Sequence, residues 1–347
     1  MHYLDRRQFT FGVAGSLGLV SSTGSLLAKT PAAKAPVAKL TAKQYHNQPS
    51  SSPLHKALVD LWTAVRTDTD GALDVTVFPQ NNNIPGSDPA ALKQLQSGEL
   101  EFYTLMGGIL SQAVPVMDVQ GLPWVYTSSQ QIHKLDDGPL GRYLDAECRA
   151  KGIERLRGGL FENGFRQTNT VDREIRTVAD FADLKIRVPD GEMFRDFFTT
   201  LGAKPVTLNI NKLYEALKTK DVDGQENPLV IAQTNKLYEV THHMAMTNHM
   251  WSGFNLLANK AFYDKLPDNV KKSIAHRLPP VVEAERKTTD DLNRSLEKTL
   301  QDEGMSFTRP DPKELKAKLD PAFYTRWKQR LGDKTWTLLE AGVGKIG

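Results

Sequence analysis

Leu184-Lys185-Ile186-Arg187-Val188-Pro189 reads as a short strand whose two faces differ in character. Leu184, Ile186 and Val188 fall on one side at the two-residue period of a strand, and Lys185 and Arg187 fall on the other. A guanidinium keeps its proton and offers five donors in a planar fork, so a fold that buries Arg187 must give it a bidentate anion or water. The carboxylate of a ligand is one candidate; an interdomain carboxylate of the protein itself is the other.

The residues around this strand set a rhythm. Thr177 to Asp180 has the spacing of a capping turn. A helix is predicted from about Glu192 to Leu201, closed by Gly202, then a strand near Val206 to Leu208 and a helix around Lys212 to Thr219. Val222 to Gly224 reads as a further strand, Asn227-Pro228 as a helix start with Asn227 as N-cap, and Met244 to Thr247 as a strand. The first half repeats the alternation. Lys39 to Tyr45 is a predicted strand, and Ser52-Pro53 opens a helix carrying Leu54, Leu58, Leu61 and Val65. Leu73, Val75 and Val77 alternate as a strand, Asp88-Pro89 opens a helix that Gly98 stops, with Asp88 a good N-cap, and Glu101 to Leu105 is a strand. The βαβα order predicts an α/β fold with a largely parallel sheet and ligands at the carboxyl ends of its strands. From Asp268 to about Gly304 a long helical pattern contains Pro279-Pro280, where a break or kink is expected.

Composition narrows the function classes. The chain has 347 residues, 39% apolar and 24% charged, enough for two domains with their own cores. A net charge of +3 without a polybasic run argues against a nucleic-acid partner. Asp5-Arg6-Arg7-Gln8-Phe9-Thr10-Phe11, followed by a weakly apolar run diluted with glycine and serine, reads as a twin-arginine export signal, with residues 1–39 as signal and lead-in. Cys148 is the only cysteine, so an internal disulfide is impossible. His242, His243 and His249 lack a metal-site spacing, no Gly-x-Ser-x-Gly elbow or triad stands out, and neither a metal nor a cofactor is expected.

From His46 to Leu266 the chain resembles the substrate-binding proteins of tripartite ATP-independent periplasmic (TRAP) transporters. The segments that carry the resemblance are Pro85-Gly86-Ser87-Asp88, Gly164-Phe165-Arg166-Gln167, Leu184 to Pro189, Leu201-Gly202-Ala203, Leu213 to Leu217, Asp223 to Pro228, Tyr238-Glu239-Val240 and Thr247-Asn248-His249. The resemblance implies a two-lobed, type II-like periplasmic binding protein with a hinge and a long kinked helix spanning both lobes. Lobe I maps to 40–163 plus 253–292 and lobe II to 164–252 plus 293–347. It implies a receptor rather than an enzyme, one that captures an organic acid in the periplasm and delivers it to a membrane permease. Arg187 matches the family arginine that pairs with the ligand carboxylate, Asn227 an asparagine that supports it, Arg166 a second arginine nearby, and Ile210 a pocket-lining position. Trp251 and Phe254 flank the expected crossing between lobes, where an aromatic can pack on a ligand. The polar loop Tyr45-His46-Asn47-Gln48, with Asp88, supplies donors and acceptors from the other lobe that could read hydroxyl or keto groups, and Met106 precedes a glycine that lets backbone approach the ligand. The expected ligand is a monocarboxylate, with an aromatic, 2-keto or hydroxy acid as candidates; an aromatic acid gains ground if Trp251 lines the pocket. A periplasmic enzyme acting on an organic acid, or a receptor for an ATP-driven importer or a sensor, are the other readings.

Overall fold

The computed structural model describes residues 39–346, so the expected export signal lies outside the described residues except for Lys39. Its strands are β1 (Leu40–His46), β2 (Leu73–Phe78), β3 (Phe102–Met106), β4 (Ile153–Phe165), β5 (Gln167–Thr170), β6 (Lys185–Val188), β7 (Lys204–Thr207), β8 (Gly224–Asn227), β9 (His243–Ala245), β10 (Trp251–Asn259) and β11 (Ser306–Thr308). They form two sheets, one in the order β2-β1-β3-β10-β4 and the other β11-β9-β5-β8-β6-β7.

Both sheets are mixed, with antiparallel pairings beside the parallel ones, where the sequence rhythm led to the expectation of a largely parallel sheet. β1 pairs in parallel with β2 and β3, but β10 runs antiparallel to both β3 and β4. In the second sheet β5 is antiparallel to β8 and β9, whereas β6 is parallel to β7 and β8. The cause is the crossing between sheets. β4 passes into β5 through Arg166 alone, and the chain returns from β9 into β10, so each sheet receives strands running against the βαβ units. The two crossings are tied together: Trp251 pairs with Phe165, the Arg166 amide donates to Met250 O (2.8 Å), and the His249 amide donates to Arg166 O (3.2 Å).

Local sequence explains the helices. Pro53–Asp68 starts as expected, with Ser52 Oγ accepting from the His55 amide at 3.2 Å and Pro53 in the first turn, where its missing N–H costs nothing. Ser87–Ser97 starts one residue before the expected opening. Gly86, at φ 83°, is its N-cap, and the Asp88 side chain turns inward instead of capping. Asn227 is likewise no cap: it is the last residue of β8, which starts two and ends three residues later than expected, and Pro228 precedes the helix Leu229–Thr234.

The long helix, Asp268–Asp302, runs through Pro279-Pro280 without the expected break. Two prolines deprive the carbonyls of Ala275 and His276 of their donors, but both residues are exposed, so water can replace the lost bonds. At about 1.5 Å per residue this helix is about 50 Å long. Arg277 on it grips Asp68, and Asn293 further along donates to Asn163 O (2.9 Å) on β4 and accepts from the Val230 amide (3.0 Å) of the helix that follows β8, so it ties the first sheet to a helix beside the second. The last helix, Asp333–Val343, packs against Ser129–Asp137 and Pro139–Ala150, with Gln131 Nε2 donating to Gly342 O at 3.2 Å and Lys334 over the Tyr143 ring. That contact sets 333–343 beside residues mapped to lobe I, not with the second sheet.

Candidate functional site

On β6 the strand alternation is realised in burial. Leu184, Ile186 and Val188 are fully buried and join the larger apolar core with Phe181, Phe197 and Phe198, while Lys185 on the opposite side is exposed. Arg187 shares that opposite side yet is only 3% exposed, and it lines a half-open cleft of about 310 Å³ between the two sheets. Larger grooves of about 990 and 980 Å³ lie elsewhere, the latter between 83–89 and 207–212.

Arg187 donates from Nε to Leu208 O at 2.6 Å, and among the described residues no carboxylate forms an ion pair with it. Burial pulls its pKa down to about 10; the Glu226 charge opposes this, the like charge of Arg166 adds to it more weakly, and Asp88 opposes it least. A solvent-starved guanidinium without a counter-ion is a costly arrangement that an entering anion would relieve.

Arg166 is the opposite case. Its guanidinium forms a bidentate pair with Glu226, with Nε on Oε2 and NH2 on Oε1 (2.8 Å), and NH2 also donates to Glu226 O (2.7 Å) and Asn227 Oδ1 (3.1 Å). Burial alone would raise the Glu226 carboxyl, but Arg166 and a hydrogen bond from His249 overcome it and hold the pKa below the usual range. Burial keeps His249 neutral; it stacks on Phe197 and lies 3.2 Å from Glu226. The Arg166 charge is thus cancelled in place. Arg187 remains the cavity's cation without a carboxylate partner.

Eight of the ten residues singled out from sequence line this cavity: Arg187, Asn227, Arg166, Ile210, Asp88, Asn47, Met106 and Phe254. Asn227 sits between Arg166 and Gln225, whose Oε1 accepts from its Nδ2 at 2.6 Å. Trp251 and His46 do not line it, which corrects the expectation for both. Trp251 is 1% exposed behind the wall, its indole donating to Glu162 Oε1 at 2.8 Å. His46 is buried with its Nε2 2.9 Å from His55 Nδ1, its pKa driven to about 3 by burial and then by His55. The Gly107 expected to admit a ligand instead packs on Gln120, whose side chain a Cβ there would strike.

Gln48 of the polar loop also lines it, together with Ile109, Asn163 and Pro189. Pro189 ends the motif segment Leu184 to Pro189, and Asn163 directly precedes the segment Gly164 to Gln167, so extending that one by a residue would have found it. Ile109 belongs to a one-turn helix that no periodicity announces.

A family model described as "Bacterial extracellular solute-binding protein, family 7" matches residues 45–329. The chain is 28% identical over 273 residues to the sialic acid-binding periplasmic protein of Vibrio cholerae, covering 79% of this chain and 84% of that one. It is 28% identical over 291 residues to the C4-dicarboxylate-binding periplasmic protein of Rhodobacter capsulatus, covering 82% and 84%. Among solved structures, the sugar acid binding protein of Advenella mimigardefordensis in complex with galactonate superimposes with a TM-score of 0.82 at 28% identity, covering 88% of this chain and 99% of that one. With two sheets joined at a double crossing, a long bracing helix and a match over most of its length, the chain belongs to family 7 of the bacterial extracellular solute-binding proteins, the receptors of TRAP transporters.

Proposed function

We propose that this receptor captures a small organic acid in the periplasm, holds its carboxylate on Arg187 with Asn227 in support, and delivers it to the membrane permease of a TRAP transporter. The observation that carries the reading is a buried guanidinium, without a carboxylate partner among the described residues, lining the cleft between the two sheets. An acid entering there exchanges a desolvated, unpaired charge for a charge-assisted bidentate pair. Relatives named for sialic acid, C4-dicarboxylates and galactonate support the same ligand class.

The lobes we propose follow the sheets: 40–163 with 253–292, and 164–252 with 293–347, the last helix leaning on the first lobe. Opening them would hydrate Arg187, so the empty protein should favour the open form and the ligand the closed one. Export through the twin-arginine signal at Arg6-Arg7 belongs to the same proposal. Trp251 lies outside the cavity, so the argument for an aromatic acid loses its basis. Members of the family are receptors, which favours this reading over an enzyme. Calorimetry and thermal shift against a panel of organic acids test it. At least one carboxylate should bind and raise the melting temperature, with the response lost in Arg187→Ala; binding that survives in that variant would overturn the assignment.

A further inference from the structure

We propose that Gln48 and Asp88 make this a receptor for hydroxylated monocarboxylates, Gln48 Oε1 accepting a hydrogen bond from a ligand hydroxyl while Asp88 turns dicarboxylates away. The inference rests on the reading of Arg187 as the carboxylate anchor and adds what the remainder of the ligand must be.

It starts from Asp88, which is 3% exposed and lines the cavity. Three donors converge on its carboxylate: Tyr103 OH on Oδ1 at 2.8 Å, Asn81 Nδ2 on Oδ1 at 2.7 Å, and Asn47 Nδ2 on Oδ2 at 3.1 Å. A carboxylate only accepts, so it fixes which way the Asn47 amide faces. The nitrogen must turn to Asp88 and the oxygen away from it. That oxygen accepts from Gln48 Nε2 at 2.8 Å, which fixes the second amide in turn. Gln48 Oε1 is left buried and without a partner, on a side chain 4% exposed that lines the cavity and the small space adjoining it. A buried acceptor in this state seeks a donor, and a ligand hydroxyl supplies one.

The charge balance excludes a second carboxylate. Arg166 is consumed by Glu226, so one cation remains to be matched. A dicarboxylate would leave its far end unpaired beside the Asp88 charge and the Gln48 oxygen, two groups that repel it. The remaining wall, from Met106, Ile109, Ile210, Pro189 and Phe254, packs on carbon and offers no cation.

The test uses two matched series by calorimetry on the mature protein: butyrate, 2,3,4-trihydroxybutanoate, succinate and 4-aminobutyrate, with hexanoate, gluconate, adipate and 6-aminohexanoate as six-carbon counterparts. In at least one series the polyhydroxy acid should bind at least tenfold tighter than the other three. Gln48→Met, which removes the acceptor and keeps the volume, should bring the polyhydroxy and unsubstituted acids within about threefold of each other. Asp88→Asn should reverse the relay: its amide nitrogen forces Asn47 and then Gln48 to flip, presenting a donor to the ligand. The hydroxy-acid preference should then fall at least tenfold while 2-oxobutanoate gains relative to wild type. A preference for the polyhydroxy acid of less than tenfold over any of its three counterparts in both series overturns the inference, as does an unchanged preference in both variants. If no carboxylate binds at all, the proposed function fails with it; if carboxylates bind through Arg187 without a hydroxyl preference, only this inference fails.

Discussion

Replacing Arg187 with methionine should weaken ligand binding and stabilise the empty closed protein at the same time. The guanidinium is 3% exposed with Leu208 O as its hydrogen-bond acceptor, and burial is the first cause that pulls its pKa from 12.5 to about 10. For a base, a lowered folded-state pKa means that the charged form is disfavoured in the fold. The penalty is therefore present at every pH below about 10 and fades above it. A fall of this size corresponds to about 3 kcal/mol, which bounds the gain available from an apolar side chain of similar length. With ligand bound the sign reverses, because truncating one partner of a buried, hydrogen-bonded charge pair costs about 2 to 5 kcal/mol, or about 30-fold to several thousand-fold in affinity. Melting curves at pH 7.5, with and without a bound acid, separate the two effects. The variant should melt as high as wild type or a few degrees above it when empty, and show no ligand-induced rise. A variant that melts well below wild type when empty, yet keeps its affinity, would refute the reasoning, since Arg187 would then be a structural ion rather than one waiting for a partner.

Three further outcomes follow from the buried charges around the cavity. Glu226→Gln leaves the Arg166 guanidinium buried without its counter-charge and should cost about 3 kcal/mol or more in urea unfolding; a loss below about 1 kcal/mol would mean that the pair contributes little. Glu285, buried on the long helix, has its carboxyl raised from 4.5 to about 8 by burial, so the folded state holds a proton that the unfolded chain releases. The resulting penalty grows between about pH 4.5 and 8 and levels off above, so Glu285→Gln should stabilise by up to about 3 kcal/mol at pH 7 and hardly at all at pH 4.5; equal effects at both pH values would contradict it. Trp251→Phe removes the indole bond to Glu162 from behind the wall, and should cost about 1.5 to 3 kcal/mol of stability while changing ligand affinity less than about threefold.

How much the sequence disclosed depended on the range of the interaction involved. Local signals were legible: Ser52-Pro53 caps the first helix, Thr177 and Asp180 form a capping box, and the alternation around Arg187 separates core from cavity. Asp88 and Asn227 have the local grammar of helix caps, and tertiary partners override it in both. Tyr103, Asn81 and Asn47 draw the Asp88 carboxylate inward, and Arg166 holds Asn227 on the strand. Trp251 misled for a related reason. Its place beside the crossing was readable, but whether an indole turns towards the cleft or the core depends on Glu162, 89 residues away, as its acceptor. The antiparallel strands were also hidden, because the βαβ rhythm describes neighbours in sequence and these pairings arise where the chain returns between sheets.

Arg166 and Arg187 show why residue type and motif membership alone do not assign a role. Both are buried, both line the cavity, and both lie in segments that carry the family resemblance. Arg166 sits at the single-residue crossing between sheets, where its backbone bonds Met250 and His249 and its side chain closes on Glu226, so its charge is satisfied whether or not a ligand is present. Arg187 sits inside a sheet, on the face turned to the cavity, and its guanidinium donates to a neutral carbonyl, Leu208 O. A ligand carboxylate would gain little from a guanidinium already bidentate to Glu226, because it would have to share donors and accept a second anion nearby. Beside Arg187 it would remove an existing penalty. The free-energy difference between an empty and a filled closed cleft is therefore concentrated at Arg187, while Arg166 and Glu226 hold the wall against which that difference is expressed.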